Sequence, residues 1–120
     1  MLKMTKFPIL IIFLLAIVGC SISETNDEIN LIEAIKQGDL VKFEKYYKEI
    51  GTLNFVSLKG DTPLNSAIYN NRIDLVKKMI SIGANCKLKD SSGRDAMSQA
   101  KDIKNMEIII YLKSVEGCQK

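Results

Sequence analysis

Apolar residues follow two different patterns along this chain. From Phe7 to Val18 they run almost unbroken. From about residue 27 onward they recur at intervals of three and four, the spacing of one helical face. Asp27 opens a segment carrying Leu31, Ala34 and Ile35, and Gly38 interrupts it before Leu40, Phe43, Tyr46 and Tyr47 line the next. Further on, Thr62 stands where a helix cap belongs and Pro63 suits a first helical turn, where a missing N–H leaves nothing unpaired. Ile73, Val76, Met79 and Ile80 form a single stripe, and Gly83 lies just past it, where a left-handed residue ends a helix. Ala96, Met97 and Ala100 define a fifth helix; Met106, Ile109, Ile110 and Leu112 define a sixth. The pattern predicts six short helices in three pairs.

These pairs recur with a period of about 33 residues, within the range that marks stacked-repeat architectures. Ala34, Ala67 and Ala100 coincide, as do Leu31, Leu64 and Met97. Leu40, Ile73 and Met106 form a third column, and Phe43, Val76 and Ile109 a fourth. Gly60 and Gly93 match in the two polar loops, Asn54 to Asp61 and Cys86 to Arg94. A pair of short helices cannot bury its apolar stripe alone, so repeated pairs are expected to stack on one another.

The middle unit, GDTPLNSAIYNNRIDLVKKMISIGAN from Gly60 to Asn85, resembles the ankyrin repeat. That family's pattern is G-x-TPLHxAA, a short turn, a V-V-x-L-L-like helix, then GA-D/N. Thr62, Pro63, Leu64, Ala67, Ile73, Leu75, Val76, Met79, Ile80, Gly83, Ala84 and Asn85 carry the match. It extends in weaker form over residues 27–118, as repeats of about 27–57, 58–90 and 91–118. The resemblance implies an all-α fold: a short ankyrin-repeat solenoid of about three helix-pair repeats with hairpin-like finger loops along one side. It also implies protein binding through the finger tips and inner helices. Carried over by column, that surface is Lys59, Asp61, Tyr69, Asn70, Arg72, Lys89, Ser92 and Arg94, with Tyr69 and Arg94 as the preferred anchors because Tyr and Arg dominate interface energetics. The chain departs from the pattern in places. Asn65 and Ser98 replace the family's inter-unit His, Asp95-Ala96 and Ile29-Asn30 replace Thr-Pro, and Lys45 and Lys78 fill a column that is often Leu. Each change is expected to weaken the stack and so to favour stabilisation by a bound partner.

Composition narrows the chemistry. The 120 residues suit one domain, with 47% hydrophobic and 26% charged side chains. There is no His, which removes Ser-His-Asp and Cys-His nucleophile systems and every His-containing zinc site. Three Cys are too few for an all-Cys zinc site, and no Gly-rich phosphate loop occurs. We therefore expect no catalytic residues, no metal and no cofactor. The net charge of +3 falls almost to neutrality if Lys3 and Lys6 leave with a leader, which gives no reason to expect a nucleic-acid partner. Cys86 stands where a buried aliphatic residue is usual and reads as a small hydrophobe. A Cys86–Cys118 disulfide would need a bent tail, because matching positions on stacked helix pairs lie about 10 Å apart. Neither thiol has an activating base nearby in sequence, so a redox enzyme is a weak reading.

The opening segment from Met1 to Cys20, MLKMTKFPILIIFLLAIVGC, combines a basic start with an apolar run shorter than a comfortable membrane span. Ile17-Val18-Gly19-Cys20 resembles the bacterial lipobox. The resemblance implies a signal peptide over 1–19, lipidation of Cys20, and stable anchoring by two or more acyl chains. Residues 20–26 then read as the lipidated Cys and a flexible tether. Ser21 leans toward the outer membrane, facing the periplasm. Together these resemblances point to an envelope-anchored lipoprotein that binds another protein. One version is an immunity protein that neutralises a toxic effector. The alternatives are an accessory factor for a periplasmic enzyme, for example in oxidative defence, and a structural envelope lipoprotein.

Overall fold

The computed structural model describes residues 26–119, so the leader, Cys20 and the tether up to residue 25 lie outside the described residues. The described chain is all-helical, with six helices and no strand among the described residues. Helix α1 covers 26–37. It is followed by α2 (Leu40–Ile50), α3 (Pro63–Tyr69), α4 (Ile73–Ser81), α5 (Ala96–Asp102) and α6 (Met106–Ser114). Short turns join α1 to α2, α3 to α4 and α5 to α6, whereas longer loops join α2 to α3 and α4 to α5. Helix α3 packs against both α4 and α5, and α5 packs against α6.

The three short turns are built alike. Gly38, Asn71 and Lys104, each one period from the next, have φ of 72°, 57° and 56°. The next N–H in each case reaches back over the helix end: Asp39 to the Ala34 carbonyl at 3.0 Å, Arg72 to Ala67 at 2.8 Å, and Asn105 to Ala100 at 3.1 Å. Such a left-handed stop satisfies carbonyls that the helix leaves unpaired. The Ala column thus accepts the closing bonds and also admits close approach, since all three alanines are buried.

Four helices start on a side-chain cap. Asp39, Thr62, Asp95 and Asn105 accept hydrogen bonds from the N–H groups of Lys42, Asn65, Ser98 and Ile108, at 2.9 to 3.1 Å. Arg72 occupies the equivalent place before α4 and makes no side-chain cap. It reaches instead to the preceding pair, where Nε and Nη2 both donate to the Lys36 carbonyl at 3.1 and 2.8 Å.

A single apolar cluster runs the length of the stack, from Leu31 and Phe43 through Leu64 and Val76 to Met97 and Leu112. Three of the four columns are buried throughout: Ala34/Ala67/Ala100, Leu31/Leu64/Met97 and Phe43/Val76/Ile109. The fourth is not. Leu40 and Met106 are 52% and 62% exposed, because each is the first residue of its helix and lies beside the turn. Ile110 is likewise at the surface, on the far side of α6 from Ile108 and Ile109. Lys78 does not simply weaken the packing. Its ammonium pairs with Glu44 of the preceding helix pair and lies 5.8 Å from the centre of the Phe43 ring.

The tail corrects a second expectation. Cys86 is buried as read, but it is disulfide-bonded to Cys118, with the Cα atoms 5.1 Å apart. The wider separation expected for matching positions on stacked helix pairs fails because α6 stops at Ser114 and the chain folds back. The Cys118 N–H donates to the Val115 carbonyl at 3.1 Å, and Gly117 takes φ of 87°. That turn carries the tail under the loop that holds Cys86.

Candidate functional groove

The two long loops end in equivalent tight turns. Ser57 N–H bonds to the Asp61 carbonyl at 2.8 Å, and one period later Asp90 N–H bonds to the Arg94 carbonyl at 2.9 Å. Gly60 N–H to Ser57 and Gly93 N–H to Asp90 close the same inner turn. The turns are tied to each other by the Ser91 N–H on the Gly60 carbonyl at 3.0 Å. Gly60 has φ of 89°, and a Cβ there would collide with Ser91, so this position requires glycine twice over.

Between these turns and helices α1, α3 and α5 lies a groove of about 330 Å³, lined by Lys36, Asp61, Asn65, Ser66, Tyr69, Asn70, Arg94 and Gln99. Asn65 forms part of its floor. Its Nδ2 donates to the Arg94 carbonyl at 2.7 Å, tying α3 to the second loop turn. Asp90 stiffens that turn. Its Oδ1 accepts from the Ser92 and Arg94 N–H groups at 2.8 and 3.0 Å, and its Oδ2 pairs with Arg94 Nε at 3.3 Å. Burial pushes the Asp90 carboxyl up. The backbone bonds from Arg94 and Ser92, the Arg94 charge and the Asn65 amide together outweigh this and hold its pKa below the ordinary value.

Four of the eight residues expected at a partner surface meet in this groove: Asp61, Tyr69, Asn70 and Arg94. Tyr69 is 66% exposed and presents its ring at the rim. Asn70 holds its side chain inward, donating to the Ser66 carbonyl at 2.8 Å. Arg94 is braced by Asp90 and faces Asp102 at 3.7 Å, so its charge is largely balanced within the fold. The other four lie elsewhere. Lys59 borders a separate small hollow against α1. Arg72 is engaged on Lys36, while Lys89 and Ser92 are exposed on the second long loop. Lys36, Ser66 and Gln99 belong to the groove and were not anticipated. The period would have found Lys36, one unit before Tyr69, whereas Ser66 and Gln99 are equivalent to each other and to no anticipated residue.

The groove has a polar floor, one aromatic rim residue and charges of both signs. No family model matches the chain. A 65-residue stretch is 26% identical to alpha-latrotoxin-Lh1a of Latrodectus hasselti. The match covers 54% of this chain but only 5% of that protein. It is a likeness over a segment, and the groove must be interpreted from its own side chains. Among the described residues, no group of three His, Cys, Asp or Glu side chains is placed to hold a metal ion. No described helix is long and apolar enough to cross a membrane.

Proposed function

We propose that this chain is an ankyrin-repeat lipoprotein of the bacterial envelope that binds another protein through the groove between its turns and α1, α3 and α5, and that it is not an enzyme. The observation that carries the reading is the recurrence of the same turn chemistry from unit to unit. The left-handed stops at Gly38, Asn71 and Lys104, one period apart, and the two matching loop turns at Asp61 and Arg94 support a reading as three like units with a common face. A stack of such units makes an extended surface from which side chains can vary without altering the scaffold. The buried Cys86–Cys118 disulfide supports the envelope part, since such bonds persist in oxidising compartments. The lipobox-like Ile17-Val18-Gly19-Cys20 supports the anchor. An inhibitory role toward a toxic effector needs only such a face and such an anchor.

Two measurements test this reading. Metabolic labelling with a palmitate analogue should mark the wild-type chain and not Cys20→Ser; equal labelling of both would remove the anchor. Affinity purification of the full chain from envelopes should recover a partner that is lost with Tyr69→Ala. Unchanged recovery with that variant would exclude the groove as the binding face.

A further inference from the structure

Two amides in the groove have unmatched atoms. Asn65 and Gln99 are 4% and 3% exposed, and both line the cavity. Asn65 Oδ1 and Gln99 Nε2 are shut off from solvent and have no hydrogen-bond partner within the protein. One is an acceptor and the other a donor. A buried polar group left unpaired is costly, and few survive in a folded protein without a purpose. The direction of the Asn65 amide is fixed, because its Nδ2 is held on the Arg94 carbonyl. Both atoms are covered in the unbound chain, so an incoming group reaches them only as the Gln99 amide turns about its terminal torsion, which is a soft one.

We propose that this pair is a receptor for a primary carboxamide, the side chain of an Asn or Gln on the partner protein. The inference rests on the groove being the partner-binding face. A carboxamide carries one N–H donor for Asn65 Oδ1 and one carbonyl acceptor for Gln99 Nε2. A carboxylate could satisfy only Gln99 and would repel the Asn65 oxygen, and an apolar side chain would satisfy neither. Discrimination of this kind is large when the site's buried polar groups are otherwise left unpaired. The rim adds orientation. The Lys36 ammonium and the Asp61 carboxylate border the same cavity, and neither is engaged in an ion pair among the described residues. A polar residue flanking the inserted amide therefore meets a charge of either sign.

The probes are N-acetyl-glutamine methylamide and its glutamate and norleucine counterparts, titrated into the full chain in detergent micelles and followed by the side-chain NH2 resonances of Asn65 and Gln99. The glutamine probe should shift both resonances saturably and bind at least about tenfold more tightly than the glutamate probe, the equivalent of one recovered hydrogen bond. Gln99→Met supplies the second arm. It keeps the volume and removes the unmatched donor, so it should raise the melting temperature while abolishing the probe-induced shift at Asn65. Equal responses to all three probes would overturn the proposal. So would a lower melting temperature in Gln99→Met, which would mean that the fold itself uses this amide. If Gln99→Met leaves the envelope partner bound while Tyr69→Ala releases it, the carboxamide site is wrong and the binding face stands. If neither variant affects the partner, the face is wrong as well.

Discussion

Opening the tail clasp should cost more stability than the loss of any single helix cap or turn residue. Cys118→Ser opens a crosslink whose ends are 32 residues apart in sequence. In the chain-entropy relation, a loop of that size restrains the unfolded chain by about 3.7 kcal/mol at 25 °C. Cys86 stays buried among apolar neighbours as a free thiol, so the packing loss adds little. Whole domains are commonly stable by only ~5–15 kcal/mol, which makes this a large fraction of the total. With a urea dependence of ~2 kcal/mol/M, the unfolding midpoint should fall by ~2 M. Helix α6 and the turn behind it should open first, since they form the end of the stack and pack mainly on α5. The assay is urea unfolding followed by far-UV circular dichroism, beside amide hydrogen exchange resolved over residues 106–119. A loss of stability below about 1 kcal/mol, with the wild-type bond verified by mass, would refute the entropic account of the clasp. Two freely reactive thiols in the oxidised native protein would refute the clasp itself.

Three smaller perturbations follow from local chemistry. Lys104 has φ of 56° at a position where its equivalent in the first unit is glycine, so Lys104→Gly should raise stability by ~0.5–1 kcal/mol in thermal unfolding; destabilisation would show that the strain is absent. Thr62 is buried and caps α3 through the Asn65 N–H, so Thr62→Ala should lower stability by ~1–2 kcal/mol, and a neutral result would mean that solvent replaces the cap. The pKa of Asp90 is depressed in the folded state, so its contribution is present above the unfolded value of ~4 and is lost as the pH falls through the lower folded value. The stability gap between wild type and Asp90→Asn should therefore be full at neutral pH and shrink in acid below about pH 4; a gap that stays constant with pH would contradict the assignment.

Much of the helical plan could be read from residue spacing, because the local rules act on the residues themselves. Thr62 and Pro63 announce a helix start, and the Ala34/Ala67/Ala100 column marks where helices approach closely, whereas Asp95, expected only to weaken the stack, caps α5. Period establishes equivalence, however, and not burial. Leu40, Ile73 and Met106 recur faithfully but stand at the first turn of their helices, where the apolar stripe has not yet turned inward. The disulfide was disfavoured because a translational argument carries the last helix onward, and the Val115–Cys118 turn supplies the bend that the bond requires. In the groove, sequence pointed to Asp61, Tyr69, Asn70 and Arg94 but could not tell which charges were already engaged. Arg72 and Arg94 look alike as surface cations. One is fastened to the Lys36 carbonyl and the other braced by Asp90, and only tertiary placement decides that.

The central claim, that one face of the stack receives a partner protein at the envelope, is tested most directly by site-specific photocrosslinking in intact cells. A benzophenone amino acid placed at Tyr69, on the groove rim, is compared with one at Val41, which is 81% exposed on α2 and does not line the groove. A discrete adduct with one protein from position 69 and none from position 41 is the predicted result. Equal adducts from both positions, or no adduct from position 69, would contradict the claim.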